Sequence, residues 1–280
     1  MNLGNQITSP SGYQLPRFGI GTWRMGEYLS NRHHEIAAIQ HALEIGVGLI
    51  DTAEMYGEGG AEKMVGEALG SRRDQVQIIS KIFPHNASYQ GVLSACDRSL
   101  ERLNTDYIDC YLLHWPGSFP IEDTFDAFRK LKADGKIREF GVSNFDIDQL
   151  KVIKPESLAE IVCNQVFYNL AHRETEWAVS PWCEQYSIPR MAYSPLDQGG
   201  SVLSSPAVKE IADKHSVTSA QVALAWLLQQ PDTIVIPKSI RRDRITQNYE
   251  ALELELTPGD LSKLDEAFPG PDRPTRLGMR

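Results

Sequence analysis

Short apolar runs that each end in a polar or ionisable residue recur along the chain, separated by amphipathic stretches. The runs at 18–21, 48–51, 76–81, 108–114, 137–143, 161–165, 189–193 and 233–237 are continuous rather than alternating. That is the pattern of parallel strands buried on both faces. Between and after them, stretches at 35–44, 61–69, 90–103, 122–133, 147–153, 174–185, 206–229 and 242–252 carry apolar residues at three-and-four spacing and predict helices. The seventh of these breaks near Ser216. Ahead of the first strand, residues 7–20 alternate around Ser9-Pro10-Ser11-Gly12 and pass through Pro16, which predicts a β-hairpin plugging one end of the fold. Repeated strand–helix units over roughly 250 residues fit a closed (β/α)8 TIM barrel with an N-terminal hairpin. No Gly/Ser-rich or Pro-rich linker and no charge block interrupts residues 1–280, so a single domain is expected.

Composition narrows the function. A net charge of -9 disfavours a broad nucleic-acid or anionic-membrane surface, both of which need a basic face. No run of about 18 apolar residues occurs, and the N-terminus lacks a basic-then-apolar leader pattern, so the chain is expected to stay in the cytoplasm. Cys96, Cys110, Cys163 and Cys183 show no CxxC or zinc-like spacing and read as reduced core thiols. The histidines form no ligand pattern, so no metal is expected, and the adjacent His33 and His34 read as a solvated pair.

The strand ends hold the chemistry. They deliver Thr22-Trp23, Asp51 with Tyr56, Lys81, His114-Trp115, Ser143-Asn144, Asn164-Gln165, Tyr193-Ser194 and Lys238-Ser239. Singly, each has a bland reading: Asp51 a helix cap, Tyr56 packing, Lys81 a surface charge, His114 a satisfied core histidine. A barrel would bring all of them to one mouth, and clustered titratable groups there point to catalysis. A phenol titrates near pH 10, and an adjacent ammonium held by a buried carboxylate is expected to lower that value. With a histidine to polarise a carbonyl, Asp51, Tyr56, Lys81 and His114 make a proton-transfer assembly for carbonyl reduction, or for alcohol oxidation in reverse. Reduction needs a hydride source, and Gly19-Ile20-Gly21 lacks the third glycine of a Rossmann fingerprint. The stretch 236–244, with Lys238, Ser239 and Arg244 at a helix start, offers a phosphate site instead.

These motifs resemble the aldo-keto reductase family over residues 7–268, and within it the short bacterial members of methylglyoxal-reducing type. The matching segments are Gly19–Trp23, Asp51–Gly57, Lys81, Leu113–Pro116, Gly141–Phe145, Asn164-Gln165, Tyr193–Leu196 and Ile236–Ser239. The resemblance implies an NADP-dependent oxidoreductase with Tyr56 as proton donor, Lys81 tuning it, Asp51 holding Lys81 and His114 orienting the carbonyl. It implies that Thr22, Trp23 and Asp51 border the cofactor, that Ser143, Asn144 and Gln165 hold its carboxamide, and that Tyr193 stacks on its ring. Ser194 and Leu196 would meet the pyrophosphate, Lys238, Ser239 and Arg244 the 2′-phosphate, and Gln247 and Asn248 the adenine. That cation cluster favours NADPH over NADH. It also implies a monomer, because such barrels complete the site within one chain.

Trp23, Phe83, His114 and Trp115 would form an aromatic substrate wall suited to small carbonyls such as methylglyoxal. The short segment after residue 268 suggests an open pocket. Two other readings compete with reduction. A Schiff-base aldolase could use Lys81 but leaves Tyr193 and the late cations idle. An NADPH-binding regulatory subunit of a membrane channel is the non-enzymatic alternative.

Overall fold

The computed structural model describes residues 5–280. Strands β1 (Gln6–Thr8) and β2 (Gln14–Pro16) pair antiparallel as the expected hairpin. Eight parallel strands follow: β3 (Ile20–Gly21), β4 (Leu49–Asp51), β5 (Gln77–Ile82), β6 (Ile108–Leu113), β7 (Ile137–Ser143), β8 (Ile161–Phe167), β9 (Arg190–Tyr193) and β10 (Thr233–Val235). Each pairs with its sequence neighbour, as right-handed strand–helix–strand units require. The sheet closes where Phe18 bridges Val235 in parallel, with Gly19 N–H donating to Val235 O and Val235 N–H to Arg17 O, both within 3.0 Å.

Two apolar layers hold the barrel. Its interior is filled by Leu49, Ile79, Cys110, Leu112, Val162, Cys163, Met191, Ile234 and Ile236, and the hairpin adds Ile7 and Leu15 to this cluster. Gln77 Nε2 donates to Gln14 O at 2.9 Å and pins the hairpin to the N-terminal end. The outer layer packs the opposite strand faces against the helices, with Phe125, Phe128 and Phe140 stacked between 5.4 and 6.4 Å apart. At Gly141 the β7–β8 register shifts, and a Cβ there would lie 2.7 Å from Cys163 O. Only glycine allows so close a backbone approach. All four cysteines are free and buried.

The helices depart from the sequence pattern mainly at their ends. The first begins at Arg32 instead of 35 (Arg32–Glu44). The stretch at 174–185 resolves into a 3-10 turn, Glu174–Glu176, and a short helix, Val179–Gln185. The long stretch at 206–229 splits at left-handed Ser216 into Pro206–His215 and Ser219–Leu228, the second started by a Thr218/Gln221 capping box. Helices Ser201–Ser204 and Pro258–Ala267 were not expected; the second announces itself by the reciprocal cap Thr257/Asp260 with Pro258 at its first position.

Candidate active site

The carboxyl ends of the parallel strands open into a cleft of about 910 Å³. Of the residues singled out from sequence, Trp23, Asp51, Tyr56, His114, Trp115, Ser143, Asn144, Gln165, Tyr193, Ser194, Leu196, Lys238, Ser239, Arg244, Gln247 and Asn248 line it. Lys81 lies beneath this surface, fully buried. Thr22 is also behind it, with its hydroxyl donating to Asp51 O at 3.0 Å. Phe83, partly exposed, is outside this lining, its ring edge-on to Trp115 at 5.4 Å and 6.5 Å from His114.

Asp51 ends β4 and Lys81 is the penultimate residue of the neighbouring β5, so the barrel brings together residues that the sequence separates. Lys81 Nζ donates to Asp51 Oδ1 at 2.6 Å, to Thr52 O at 2.8 Å and to Tyr56 OH at 3.4 Å. An ammonium has three donors and no acceptor, so this shell is complete for the charged form. It leaves Lys81 with no lone pair or access for imine formation, which removes the basis of the aldolase reading. Because Lys81 donates to the phenol oxygen, the Tyr56 proton is free to be offered to the cleft. Asp51 Oδ1 also accepts from Gln165 Nε2 at 2.7 Å.

Burial raises the Asp51 carboxyl pKa and lowers that of the Lys81 ammonium, while their contact pulls each back toward its charged form. Burial, reinforced by the Asp51 charge, pushes the Tyr56 phenol well above its ordinary value. The net shift in this state is upward, because desolvation of a phenolate dominates over the lowering expected from an adjacent ammonium. A protonated phenol is nonetheless the form that a proton donor needs. Burial and the Lys81 charge both hold His114 well below the ordinary imidazole value, so it is neutral near pH 7. Its Nδ1 is buried without a hydrogen-bond partner, and its ring meets Tyr56 edge-on at 5.8 Å.

On the other wall, Tyr193 OH donates to Asn144 Oδ1 at 2.9 Å, and Asn144 Nδ2 donates to His114 O at 3.0 Å and Ser143 Oγ at 3.1 Å. Asn144 takes a left-handed backbone, φ 58°, to make this bridge. Near the other end of the chain, Lys238, Ser239 and Arg244 enter the cleft just before and within the first turn of the helix Arg242–Glu250. Arg241 points its charge at Asp243 and is spent there. The donor set, an aromatic platform with amides and a separate hydroxyl-and-cation group, fits a dinucleotide carrying an extra phosphate.

Three features escaped the sequence reading. The loop after β9 places Ser194, Asp197, Gln198 and Gly199 at positive φ, 47–81°, and brings Pro195, Gln198 and Gly199 onto the cleft beside the expected Ser194 and Leu196. Left-handed non-glycine residues give little sequence signal, although Gly199-Gly200 hinted at a turn. Thr218, Ser219 and Ala220, at the capped start of the helix Ser219–Leu228, also line the cleft. The final segment, expected to leave the pocket open, returns across the mouth. Leu277 N–H donates to Asp146 Oδ2 at 3.0 Å, Arg280 N–H to Tyr193 OH at 3.2 Å and Arg280 Nη1 to Asp197 Oδ1 at 2.8 Å.

The model of the Aldo/keto reductase family matches residues 17–268. Methylglyoxal reductase YeaE of Escherichia coli is 47% identical over 270 residues, 95% of each chain. Glyoxal reductase of Bacillus subtilis is 35% identical, covering 94% of this chain and 93% of the relative. A crystal structure of an aldo-keto reductase from Klebsiella pneumoniae in complex with NADPH superposes with a TM-score of 0.95 at 40% identity, covering 99% of both chains.

Proposed function

The chain belongs to the aldo/keto reductase family, and from that premise we propose that it reduces small 2-oxoaldehydes, methylglyoxal foremost, with Tyr56 as proton donor. The enzyme is an NADP-dependent carbonyl reductase. The observation that carries the role assignment is the Lys81 contact shell, which orients the phenol oxygen and leaves its proton for the substrate. When bound, NADPH supplies the hydride that adds to the carbonyl carbon. His114, neutral and lining the cleft, donates a ring N–H to the carbonyl oxygen and polarises it. Tyr56 then gives its proton to the oxygen, Lys81 stabilises the phenolate charge that develops, and Asp51 keeps Lys81 charged and in place.

Within this reading, Ser143, Asn144 and Gln165 hold the cofactor's carboxamide, Tyr193 takes the nicotinamide ring, and Thr22, Trp23 and Asp51 border it. Ser194 and Leu196 meet the pyrophosphate, Lys238, Ser239 and Arg244 the 2′-phosphate, and Gln247 and Asn248 the adenine. Trp23 and Trp115, with Phe83 edge-on against Trp115, shape the substrate end. One barrel domain supplies the whole site, which supports a monomer, and the free thiols suit a reducing cytoplasm.

The test is NADPH consumption with a panel running from methylglyoxal and glyoxal to bulky aldehydes and simple ketones. Highest kcat/KM for the small 2-oxoaldehydes supports the reading, and no turnover of any of them refutes it.

A further inference from the structure

Between Asp51 and Tyr56 lies Glu54, a carboxylate that the proton transfer does not use. Its Oε1 accepts from the Phe83 backbone N–H at 2.7 Å and from Asn86 Nδ2 at 3.1 Å, while its own N–H donates to Lys81 O at 3.3 Å. Both of these side-chain bonds come from neutral donors. Among the described residues no cation pairs with this half-buried carboxylate, so these two bonds are what offsets its desolvation. What it holds is part of the site. Phe83 opens the 3-10 turn Pro84–Asn86, and its ring meets Trp115 at 5.4 Å, 87° from coplanar. On the far side, Pro84 lies so close to Gly117 that a Cβ there would come within 2.9 Å of Pro84 Cβ. The Tyr56 loop, the turn after β5 and the Trp115–Gly117 segment are thus in continuous contact, with Glu54 as the clasp between the first two.

We propose that Glu54 is a positioning residue for substrate selectivity: it fixes the gap between the Tyr56 phenol and the His114–Trp115 wall at the width of a small carbonyl compound. This rests on the reading of the site given above. A carbonyl oxygen has to sit within hydrogen-bond reach of phenol and imidazole together, about 2.6–3.2 Å from each. A wall free to move outward loses that grip on a small substrate, whereas a bulky one still fills the wider space by its own contacts. Glu54→Gln keeps an oxygen acceptor for Phe83 N–H, and Glu54→Leu removes it. Asn86→Ala removes only the second donor.

Steady-state kinetics on methylglyoxal and phenylglyoxal, with NADPH affinity read by cofactor fluorescence, test this. Glu54→Leu is expected to lower kcat/KM for methylglyoxal about tenfold and that for phenylglyoxal by about twofold or less, with NADPH affinity changed by less than about threefold. Glu54→Gln restores the wild-type selectivity, and Asn86→Ala shifts it in the same direction as Glu54→Leu but less. Equal losses on the two substrates, no rescue by glutamine, or wild-type selectivity in Glu54→Leu would overturn the proposal. If Glu54→Leu does not fold, unchanged selectivity in Asn86→Ala overturns it. A wild-type enzyme that turns over neither substrate with NADPH would instead strike the reading of the site itself.

Discussion

Lys81 Nζ lies 2.6 Å from Asp51 Oδ1, and neither side chain is more than 3% exposed. An ion pair so deep is a weak source of stability when intact, because desolvation offsets most of its attraction, but breaking it strands a buried charge. Asp51→Asn is therefore expected to cost about 3–5 kcal/mol in chemical denaturation. The double variant Asp51→Asn, Lys81→Met removes the stranded charge and should recover part of that stability while remaining inactive. Wild-type stability in Asp51→Asn would mean that Lys81 is not charged in the folded protein.

The pH profile follows from the two aromatic groups at the reacting end. Tyr56 donates only while protonated, and its pKa is raised, so reduction should hold through the neutral range and be lost only as pH rises through that elevated value. His114 is lowered and stays neutral, so kcat should show no inflection near 6.5. A step there that disappears in His114→Gln would show an imidazole titrating in the site.

Cofactor choice is assigned to the late cations. Arg244→Ala removes an exposed guanidinium at the first turn of the helix Arg242–Glu250, and charge-assisted contacts to a phosphate are worth about 1.5–3 kcal/mol. The NADPH KM should rise about tenfold to a hundredfold on that basis, with the NADH KM little changed. Parallel changes for both cofactors would place the arginine's effect away from the 2′-phosphate.

Far from the cleft, Asp260 ties the helix Pro258–Ala267 to the helix Pro206–His215. Its carboxylate accepts from Lys214 at 2.8 Å, His215 at 2.8 Å and Thr257 Oγ1 at 2.7 Å. These bonds outweigh its burial and depress its pKa. A depressed folded pKa gives stability that is present above the unfolded value, about 4, and is lost as pH falls through the folded one. Asp260→Ala should cost about 1–2 kcal/mol at neutral pH, mostly through the cap, since Lys214 is half exposed and its pairing is screened. Urea midpoints of variant and wild type should converge in acid; a constant gap would assign the effect to packing.

The barrel was legible because buried parallel strands write continuous apolar runs, and the polar residue that ends each run is where the mouth begins. Asp51, Tyr56, Lys81 and His114 could be found that way. What stayed hidden is carried by backbone geometry or by contacts without local pattern. The left-handed loop at Ser194, Asp197 and Gln198 has ordinary polar residues, and the return of Met279 and Arg280 to the cleft depends on Asp146, Tyr193 and Asp197, distant in sequence. The sign of the Tyr56 shift was also out of reach, because it depends on how completely the barrel excludes water from the phenol. Thr257-Pro258-Gly259-Asp260, by contrast, was a readable helix start that the apolar periodicity alone passed over.

The central claim is that Tyr56 delivers the proton, and Tyr56→Phe tests it most directly because it deletes one oxygen from a site that is otherwise kept. Single-turnover reduction of methylglyoxal by the NADPH-loaded variant should slow by at least about a thousandfold, within the range for loss of a general acid. NADPH binding, followed by fluorescence, should stay near wild type. A Tyr56→Phe enzyme that binds NADPH and reduces methylglyoxal at the wild-type rate would contradict the account.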